Sequence, residues 1–365
     1  MLRDTALVVS PHLQAWFMPA LITRAGLICD LVCACDSYQC SRHIRNLGVV
    51  DRVSALAVKA LQFCQKYGPY DWVFVISDSL QGELVQRSLL DCQYRQLLPL
   101  TAEASTSHIH SKIGLSRLLS ANEIPTPDWR VASDAESALR HSCDLTWPIV
   151  LKQDGSVGGK GIWKCENAAE LVNAADAQAG RSFLLQRWES GVLHSVEALY
   201  RQGALCVYAL SEVEAYMGNH GSSFQRRYGL SFDAVPDLEA ILDRIGQSLG
   251  LHGFVNMSLI FGGDPQLPRI FECDVRTVAW LAIDHLLGGD FARALGSKQQ
   301  PVPGRRLAYS SLTEQSISPF LPKASALEYS LLKWPYQPLE DEKAFLDIVL
   351  SSGILRRSEV GYLAN

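Results

Sequence analysis

Short apolar runs alternate with amphipathic segments along the first third of the chain. The runs predict buried strands, because continuous stretches of about four to eight apolar residues are typical of strands covered on both faces. They lie at residues 5–10, 28–35 and 72–76, and the amphipathic segments that predict helices lie at 16–25, 55–66 and 80–90. Strands and helices that alternate in this way predict a parallel sheet with helices on both faces.

A polar stretch at 101–111 separates this α/β part from a mixed α+β part. The first helix of the second part, at 112–122, is stopped by Ile124-Pro125-Thr126-Pro127, since proline cannot continue a helix. Further helices are predicted at 135–140, 168–179 and 238–249, and strands at 182–188, 194–200, 204–213, 254–261 and 269–275. We therefore predict four segments: an α/β domain at 1–105, a small lobe at 106–188, a larger lobe at 189–305 and a C-terminal extension at 306–365.

A glycine-rich stretch follows the apolar run at 147–151 and begins at Lys152. It contains Gly155, Gly158, Gly159 and Gly161. Glycines allow tight turns and close approach of the backbone to a ligand, and successive N–H groups in such a turn form an anion-binding concavity. With a lysine at the end of the preceding strand, the stretch predicts a binding site for a triphosphate.

The glycine spacing excludes two common nucleotide motifs. A Walker A motif places Lys-Ser/Thr directly after its last glycine, whereas Gly161 is followed by Ile162. A dinucleotide fingerprint opens a helix, whereas residues 162–165 predict a strand. A glycine-rich hairpin without a ligand remains the alternative at this point.

Two later strands, 254–261 and 269–275, carry alternating polar residues. Because side chains alternate between the faces of a strand, Glu272 and Asp274 share one face while Phe271 and Cys273 are expected to turn to the core. Paired carboxylates beside a triphosphate suit Mg²⁺, and Arg276 could stabilise the charge of a transferring phosphoryl group. The alternative is a solvated strand face without a ligand.

Composition limits the classes of function. The chain has 365 residues, 48% hydrophobic and 19% charged, with a net charge of -5, so we expect globular domains and no nucleic-acid partner. No apolar run approaches the roughly 18 residues of a membrane span, which predicts no membrane partner and a cytoplasmic location. Ten cysteines are scattered, mostly in apolar runs, so we expect reduced thiols; Cys33, Cys35 and Cys40 lack the spacing of a zinc site.

In the order of these parts the chain resembles the ATP-grasp superfamily, in particular its carboxylate–amine ligases and the carbamoyl-phosphate-synthetase type of ATP-grasp domain. The resemblance covers roughly residues 5–295 and rests on order and spacing together. The matching motifs are Ser41-Arg42-His43, Ser111-Lys112, Ile124-Pro125-Thr126-Pro127, Lys152 with its glycine loop, residues 185–191, His194-Ser195-Val196-Glu197, Asn256-Met257-Ser258 and Glu272-Cys273-Asp274-Val275-Arg276. It implies a Rossmann-like preceding domain followed by a two-lobed ATP-grasp domain.

The resemblance also implies roles for individual residues, with ATP and Mg²⁺, or Mn²⁺ in its place, as cofactors. Lys112 and Lys152 correspond to the lysines that contact nucleotide phosphates, and Glu272 and Asp274 to the metal ligands. Arg276, with Lys152, corresponds to the catalytic positions. The implied phosphate flap contains Gly155, Ser156, Gly158, Gly159 and Gly161, and the implied hinge at the adenine contains Gln186, Arg187, Trp188 and Glu189.

Three positions depart from the family pattern. Ser258 stands where an acidic residue or Gln is usual, which predicts one weak or water-mediated magnesium site. Asp274 replaces the more usual Asn and adds a compensating negative charge. Leu193 occupies the place of a ribose-binding acid, which leaves Glu189 or Glu197 as candidates.

The activity implied by the resemblance is ATP-dependent ligation of a carboxylate to an amine through an acyl phosphate. A carboxylase or phosphotransferase, and a nucleotide-binding protein without catalysis, remain alternatives. Arg226 and Arg227, in a polar loop at 217–229, could clamp a substrate carboxylate. His194 and His220 are weaker candidates for a general base, and Trp280 and His285 could line the same cleft. The tail after 306 could cover the acceptor site or form the contact of a homodimer.

Overall fold

The computed structural model describes residues 4–11, 17–34, 41–157, 161–178, 180–216, 226–231, 235–262, 267–277, 289–297 and 306–310. For residues 212–216, 226–231, 236, 297 and 306–310 the description covers the backbone only. The predicted glycines Gly158 and Gly159 lie outside the described residues, as do His220, Trp280, His285 and the tail beyond Ser310.

The N-terminal part alternates strands and helices as predicted. Its elements are β1 (Thr5–Ser10), α1 (Met18–Arg24), β2 (Ile28–Cys33), β3 (Ile44–Val49), α2 (Leu56–Tyr67), β4 (Trp72–Val75) and α3 (Asp78–Leu90). The strands form a parallel sheet in the order β3-β2-β1-β4, which confirms the predicted parallel sheet. The hydrophobic pattern did not predict β3, because this edge strand is largely half-exposed and has no continuous apolar run.

The rest of the chain contains the remaining helices and strands. They are α4 (Lys112–Ala121), β5 (Trp129–Ala132), α5 (Ala135–Ser142), β6 (Ile149–Gln153), β7 (Ile162–Cys165), α6 (Ala168–Asp176), β8 (Phe183–Arg187), β9 (Val192–Arg201), β10 (Ala204–Tyr216), β11 (Arg226–Ser231), α7 (Pro236–Leu249), β12 (Gly253–Phe261), β13 (Pro268–Asp274), α8 (Gly289–Ser297) and β14 (Arg306–Ser310). The described chain divides into two compact units. One holds the chain up to Pro99 with the segment that begins at Arg276 and includes α8, and the other holds Leu100–Val275 with β14.

The second unit contains two antiparallel sheets. The smaller has the order β5-β8-β6-β7, and its inner face packs on α5 and α6 through Ile149, Leu151, Phe183 and Leu185. The larger has the order β13-β12-β9-β10-β11-β14. A parallel α/β part followed by two antiparallel sheets confirms the predicted fold class.

Local sequence explains two of the connections. Gln202 and Gly203 join β9 to β10 with φ of 51° and 81°, the left-handed pair that a tight hairpin turn requires. Helix α7 ends at Gly250, whose φ of 63° allows the left-handed cap. The turn lies between the predicted strands at 194–200 and 204–213, and the cap directly follows the helix predicted at 238–249.

The structure also bears on the membrane segments and the cysteine thiols that were considered from composition. Among the residues that the structure describes, no helix is long and apolar enough to cross a membrane. The described cysteines are free thiols, and Cys29, Cys33, Cys64, Cys165 and Cys273 are buried. Burial raises the pKa of the Cys64 thiol to about 12, which makes that thiol unreactive at neutral pH.

Candidate active site

Lys152 lies on the outer face of the small sheet, opposite the face that packs on α5 and α6. It pairs with Leu184, and two residues earlier Val150 pairs with Gln186, so all four side chains share this face. Lys152 is only 7% exposed. Burial lowers its pKa to about 8, the nearby Glu272 carboxylate opposes that change, and the positive charge of Lys112 adds to it.

The Lys152 ammonium is covered by an aromatic ring from the large sheet. Its Nζ lies 4.6 Å from the centroid of the Phe271 ring. A cation on the face of an aromatic ring is attracted to the ring quadrupole, so the ring replaces part of the lost hydration. Within the described chain, no hydrogen-bond acceptor contacts this Nζ.

A β-bulge in β13 turns Phe271 towards the lysine. Ser258 pairs with Glu272, but the next residue of β12, Leu259, pairs with Ile270, so Phe271 is the extra residue. Ile270 and Cys273 are buried, whereas Phe271 is half-buried. The prediction that Phe271 turns to the core was wrong, because strict alternation does not hold across a bulge.

Glu272 and Asp274 lie on β13 opposite Ser258 and Asn256 of β12, as the predicted strand pairing requires. Ser258 Oγ donates to Glu272 Oε2 at 3.3 Å. Within the described residues, no cluster of three or more His, Cys, Asp or Glu side chains could hold a metal ion by itself. Two carboxylates nevertheless fit Mg²⁺, which is commonly bound by one or two carboxylates together with substrate phosphates.

The start of the glycine-rich loop is attached to the N-terminus of α4. Lys112 Nζ donates to the Ser156 carbonyl and, at 3.2 Å, to its hydroxyl. Asp154 accepts from Ile113 N at 3.1 Å and from Ser111 Oγ, and Ser111 caps the helix by accepting from Gly114 N. The loop backbone therefore lies against Lys112.

Two glycines of the loop have conformations that other residues avoid. Gly155 has a φ of 66° and Gly161 a φ of 71°. Gln153 N donates to the Gly161 carbonyl at 2.7 Å, which closes the hairpin between β6 and β7. The strand predicted after Gly161 is present as β7.

Main-chain groups of the predicted hinge are already bonded within the lobe. Arg187 N donates to the Asp128 carbonyl at 2.8 Å, and Trp188 N to the Pro148 carbonyl at 3.0 Å. Gln186 is 2% exposed, and its Nε2 has no hydrogen-bond partner in the part of the chain that the structure describes.

The two candidate ribose-binding acids have different surroundings. The Glu189 carboxylate pairs with Arg187 at 2.7 Å and with Arg269 at 3.6 Å. Glu197 is buried on β9 and accepts from Asn256 Nδ2 at 2.6 Å. Glu197 therefore lies among polar side chains of the large sheet. Glu189 lies beside the arginines at the hinge.

Arg276 follows β13 directly and belongs to the other compact unit. Its Nε donates to Asp78 Oδ1 at 2.7 Å. Asp78 is the first residue of α3, at the carboxyl end of β4. Open parallel sheets bind ligands at the carboxyl ends of their strands, near the point where strand order reverses, and in this sheet that point lies between β1 and β4.

The predicted substrate arginines do not lie in a loop. Arg226 and Arg227 begin strand β11, where they pair with Tyr216 and Ala215 of β10, so the prediction of a loop through residue 229 was wrong here. Cross-strand pairing on both sides of β11 outweighs the polar local composition. His194 Nδ1 donates to the Val192 carbonyl of its own strand at 2.9 Å, and its ring packs edge-on against Phe261.

Four features of the site were not predicted from the sequence. The contact of Phe271 with Lys152 depends on the bulge, and that of Asp154 with α4 depends on a tertiary approach. The same holds for the Asp78–Arg276 pair, whose partners are far apart in sequence. The unpartnered amide of Gln186 carries no signal in the sequence beyond a polar residue in an otherwise apolar strand.

No protein-family model matches the chain. Solved structures do resemble it. N5-carboxyaminoimidazole synthetase from Staphylococcus aureus, complexed with ADP, matches with a TM-score of 0.63 and 12% identity over 84% of this chain and 80% of that chain. The biotin carboxylase domain of 2-oxoglutarate carboxylase from Hydrogenobacter thermophilus, in complex with MgADP, ADP and bicarbonate, also matches. Its TM-score is 0.60, with 14% identity over 81% of this chain and 69% of that chain.

A third similar structure is L-amino acid ligase from Bacillus licheniformis, with a TM-score of 0.57 and 14% identity over 83% of this chain and 76% of that chain. At such identities the likeness concerns the fold. The parallel α/β sheet and the two antiparallel sheets have the arrangement of these ATP-grasp enzymes. The chain therefore has the ATP-grasp fold.

Proposed function

We propose that this protein is an ATP-dependent ligase that activates a carboxylate as an acyl phosphate and joins it to an amine. The observation that carries the proposal is the convergence of Lys152, Lys112 and Glu272 beside a glycine-rich loop. A buried lysine next to a second lysine is electrostatically unfavourable, and an anion placed between them would relieve that repulsion. A polyphosphate is the anion that this loop chemistry fits.

In the proposed reaction a carboxylate oxygen attacks the γ-phosphorus of ATP, the bond to the bridging oxygen breaks, and ADP leaves. The amine nitrogen then attacks the acyl carbon, phosphate leaves, and the nitrogen loses a proton. Lys112 and Lys152 would neutralise the phosphates, and Arg276 would stabilise charge on the acyl phosphate. Glu272 and Asp274 would hold Mg²⁺, which supplies further charge neutralisation when bound.

A carboxylase is the second candidate function. The compared structures from S. aureus and H. thermophilus are named as an N5-carboxyaminoimidazole synthetase and a carboxylase domain. A carboxylase would use bicarbonate where the ligase uses an organic carboxylate. The two candidates share the phosphoryl-transfer step and differ in the acid that accepts the phosphoryl group.

The test is release of ADP from Mg-ATP by the purified protein, with pools of amino acids and small carboxylates and, separately, with bicarbonate. A ligase releases ADP only when a carboxylate and an amine are both present, whereas a carboxylase requires bicarbonate. Lys152→Ala should abolish release, and Lys59→Ala, in the N-terminal unit, should not. Unchanged turnover in Lys152→Ala would contradict the proposal, and nucleotide binding without release in every pool would favour a protein that has lost its chemistry.

Metal binding can be tested separately with Mn²⁺ as an electron-spin probe. Glu272→Gln should weaken Mn²⁺ binding in the presence of ADP by about tenfold, because a charged ligand to the ion is lost. Glu239→Gln, on helix α7, is the matched control. Equal Mn²⁺ affinity in wild type and Glu272→Gln would exclude Glu272 as a ligand.

A further inference from the structure

A groove lies at the edge of the small sheet, between helix α4 and strand β5. It has a volume of about 560 Å³ and is lined by residues of α4, by the segment that joins α4 to β5, and by β5 itself. Sites for small molecules commonly have volumes of about 300–1,000 Å³. Within the described chain, its lining residues belong neither to the glycine-rich loop, nor to the predicted hinge, nor to the carboxylate pair. The proposed nucleotide site therefore does not account for this groove.

Arginine side chains give the groove a positive charge. Arg117, on α4, is exposed, and its guanidinium makes no ion pair within the described residues. Arg130, on β5, pairs with the exposed Asp144 at 3.1 Å, and such exposed pairs contribute little, so its guanidinium can also serve a ligand. Asp128 lines the groove as well, but its carboxylate already pairs with Arg187 Nη1 at 2.7 Å. The groove therefore favours an anion.

A hydroxyl group and an aromatic ring complete the lining of the groove. Thr126 Oγ1 is shielded from water and has no hydrogen-bond partner in the part of the chain that the structure describes. A buried polar atom without a partner is uncommon, and an oxygen of a bound anion would accept its proton. The Trp129 ring is held by a hydrogen bond from its Nε1 to Ser120 Oγ at 2.8 Å. The ring therefore offers a ligand a fixed aromatic surface.

The groove is separate from the lysines of the candidate active site. Strands β5 and β6 pair with opposite edges of β8, so β5 lies about 10 Å from the strand that carries Lys152. Arg117 follows Lys112 on α4 by five residues, which turns its side chain by about 140° around the helix axis. Lys112 contacts the glycine-rich loop, so Arg117 projects from a different face of α4.

We propose that this groove binds a small aromatic anion, with its acidic group at Arg117 and Arg130 and its ring against Trp129. Guanidinium groups bind carboxylates and phosphates through charge-assisted hydrogen bonds, and an indole ring packs well against another flat ring. Thr126 would donate to the same acidic group. The chemistry of the groove thus fits an aromatic carboxylate or phosphate, and this inference does not depend on the proposed function.

The experiment uses phenyl phosphate as the probe and the indole N–H signals of ¹⁵N-labelled protein as the readout. The chain has eight tryptophans, and Trp129→Phe identifies the signal of Trp129. We expect that signal to shift during the titration, while the signal of Trp72, buried in the N-terminal unit, stays in place. Inorganic phosphate should shift the Trp129 signal with about tenfold weaker affinity, because it lacks the ring contact.

Arg117→Gln should weaken the binding of phenyl phosphate about tenfold, the effect of losing one charge-assisted hydrogen bond. The side chain is exposed, so Tm should not change. The control is Arg181→Gln, which removes an exposed arginine of the same lobe. Arg181 lies just before β8, at the far end of that strand from the residue that pairs with Trp129, so this variant should keep the wild-type affinity.

Three results would overturn the proposal. The first is a Trp129 signal that does not shift up to millimolar phenyl phosphate, and the second is equal affinity in wild type and Arg117→Gln. The third is a shift of Trp188, beside the hinge, without one of Trp129, which would place the phosphate at the nucleotide site. Equal affinities for phenyl phosphate and inorganic phosphate would likewise exclude an aromatic ligand. ADP release does not enter these titrations, so failure here leaves the proposed function standing.

Discussion

The ammonium group of Lys152 lies 4.6 Å from the centre of the Phe271 ring, although the two residues belong to different sheets of the second unit. Burial alone would favour the neutral amine strongly, because a desolvated charge is costly. The aromatic face and the Glu272 carboxylate partly compensate. The pKa of Lys152 is therefore close enough to neutral pH that a modest change of pH, or of a neighbouring charge, alters the protonation of its side chain.

Nucleotide affinity should weaken as pH rises through about 8. The pKa of Lys152 in the free protein is lowered to about 8, so the side chain is charged below that pH and loses its proton above it. A bound phosphate stabilises the charged form, so binding above about pH 8 must also take up a proton. Calorimetry of ATP binding at several pH values, in buffers of different ionisation enthalpy, measures both effects.

Lys152→Arg provides the control for this pH dependence, since a guanidinium stays charged throughout the range. Its nucleotide affinity should be flat between pH 7 and 9.5, a range that spans the expected midpoint of about 8. If the nucleotide affinity of the wild type does not change across the same pH range, the charge of Lys152 does not govern binding.

Replacing Phe271 with leucine should move the midpoint of that pH profile downwards. The substitution keeps an apolar side chain but removes the ring quadrupole, and a largely desolvated cation–π contact is worth about 1–2 kcal/mol. Since one pKa unit corresponds to about 1.4 kcal/mol, the midpoint should fall by about one unit. A midpoint that stays in place or rises in Phe271→Leu would mean that the ring does not stabilise the ammonium; Phe271→Tyr should keep the wild-type value.

The elements of this site differ in how far the sequence determines them. The hairpin of β6 and β7 and the face shared by Glu272 and Asp274 follow from glycine positions and alternation, which are local properties. The orientation of Phe271 does not, because one inserted residue in β13 reverses the alternation, and no residue type in that strand marks the insertion. The edge strands β3 and β5 and the inner strand β11 escape prediction for a related reason: pairing to neighbouring strands, more than their own composition, determines them.

Asp154 should stabilise the start of α4 and the loop together. Asp154→Ala removes the acceptor for Ile113 N and Ser111 Oγ, so we expect the free energy of unfolding to fall by about 1 kcal/mol. The Ile113 amide should also exchange its hydrogen faster, which hydrogen–deuterium exchange by NMR measures directly.

Asp154→Asn is the control for that experiment, because its amide oxygen can still accept from Ile113. It should lose less stability than Asp154→Ala and keep the Ile113 amide protected. Unchanged exchange at Ile113 in the alanine variant would show that this carboxylate does not cap the helix.

Asp78 should position Arg276 for the proposed phosphoryl chemistry. Asp78→Asn keeps the size of the side chain and removes the charge that pairs with Arg276 Nε at 2.7 Å. A guanidinium without that partner samples more orientations, so we expect kcat to fall by about tenfold, the effect of losing roughly 1.4 kcal/mol of transition-state stabilisation. The affinity for ATP should stay unchanged, since Lys112 and Lys152 are not altered.

Three comparisons separate positioning by Asp78 from a general structural effect. Asp78→Glu restores the charge and should recover most of kcat, whereas loss of a negative charge that only stabilises the helix N-terminus would lower stability by about 0.3–1 kcal/mol and leave kcat unchanged. Asp144→Asn removes the partner of Arg130 from an exposed ion pair of similar kind and should leave kcat intact. Equal kcat values for wild type and Asp78→Asn would mean that Arg276 keeps its working orientation without this carboxylate.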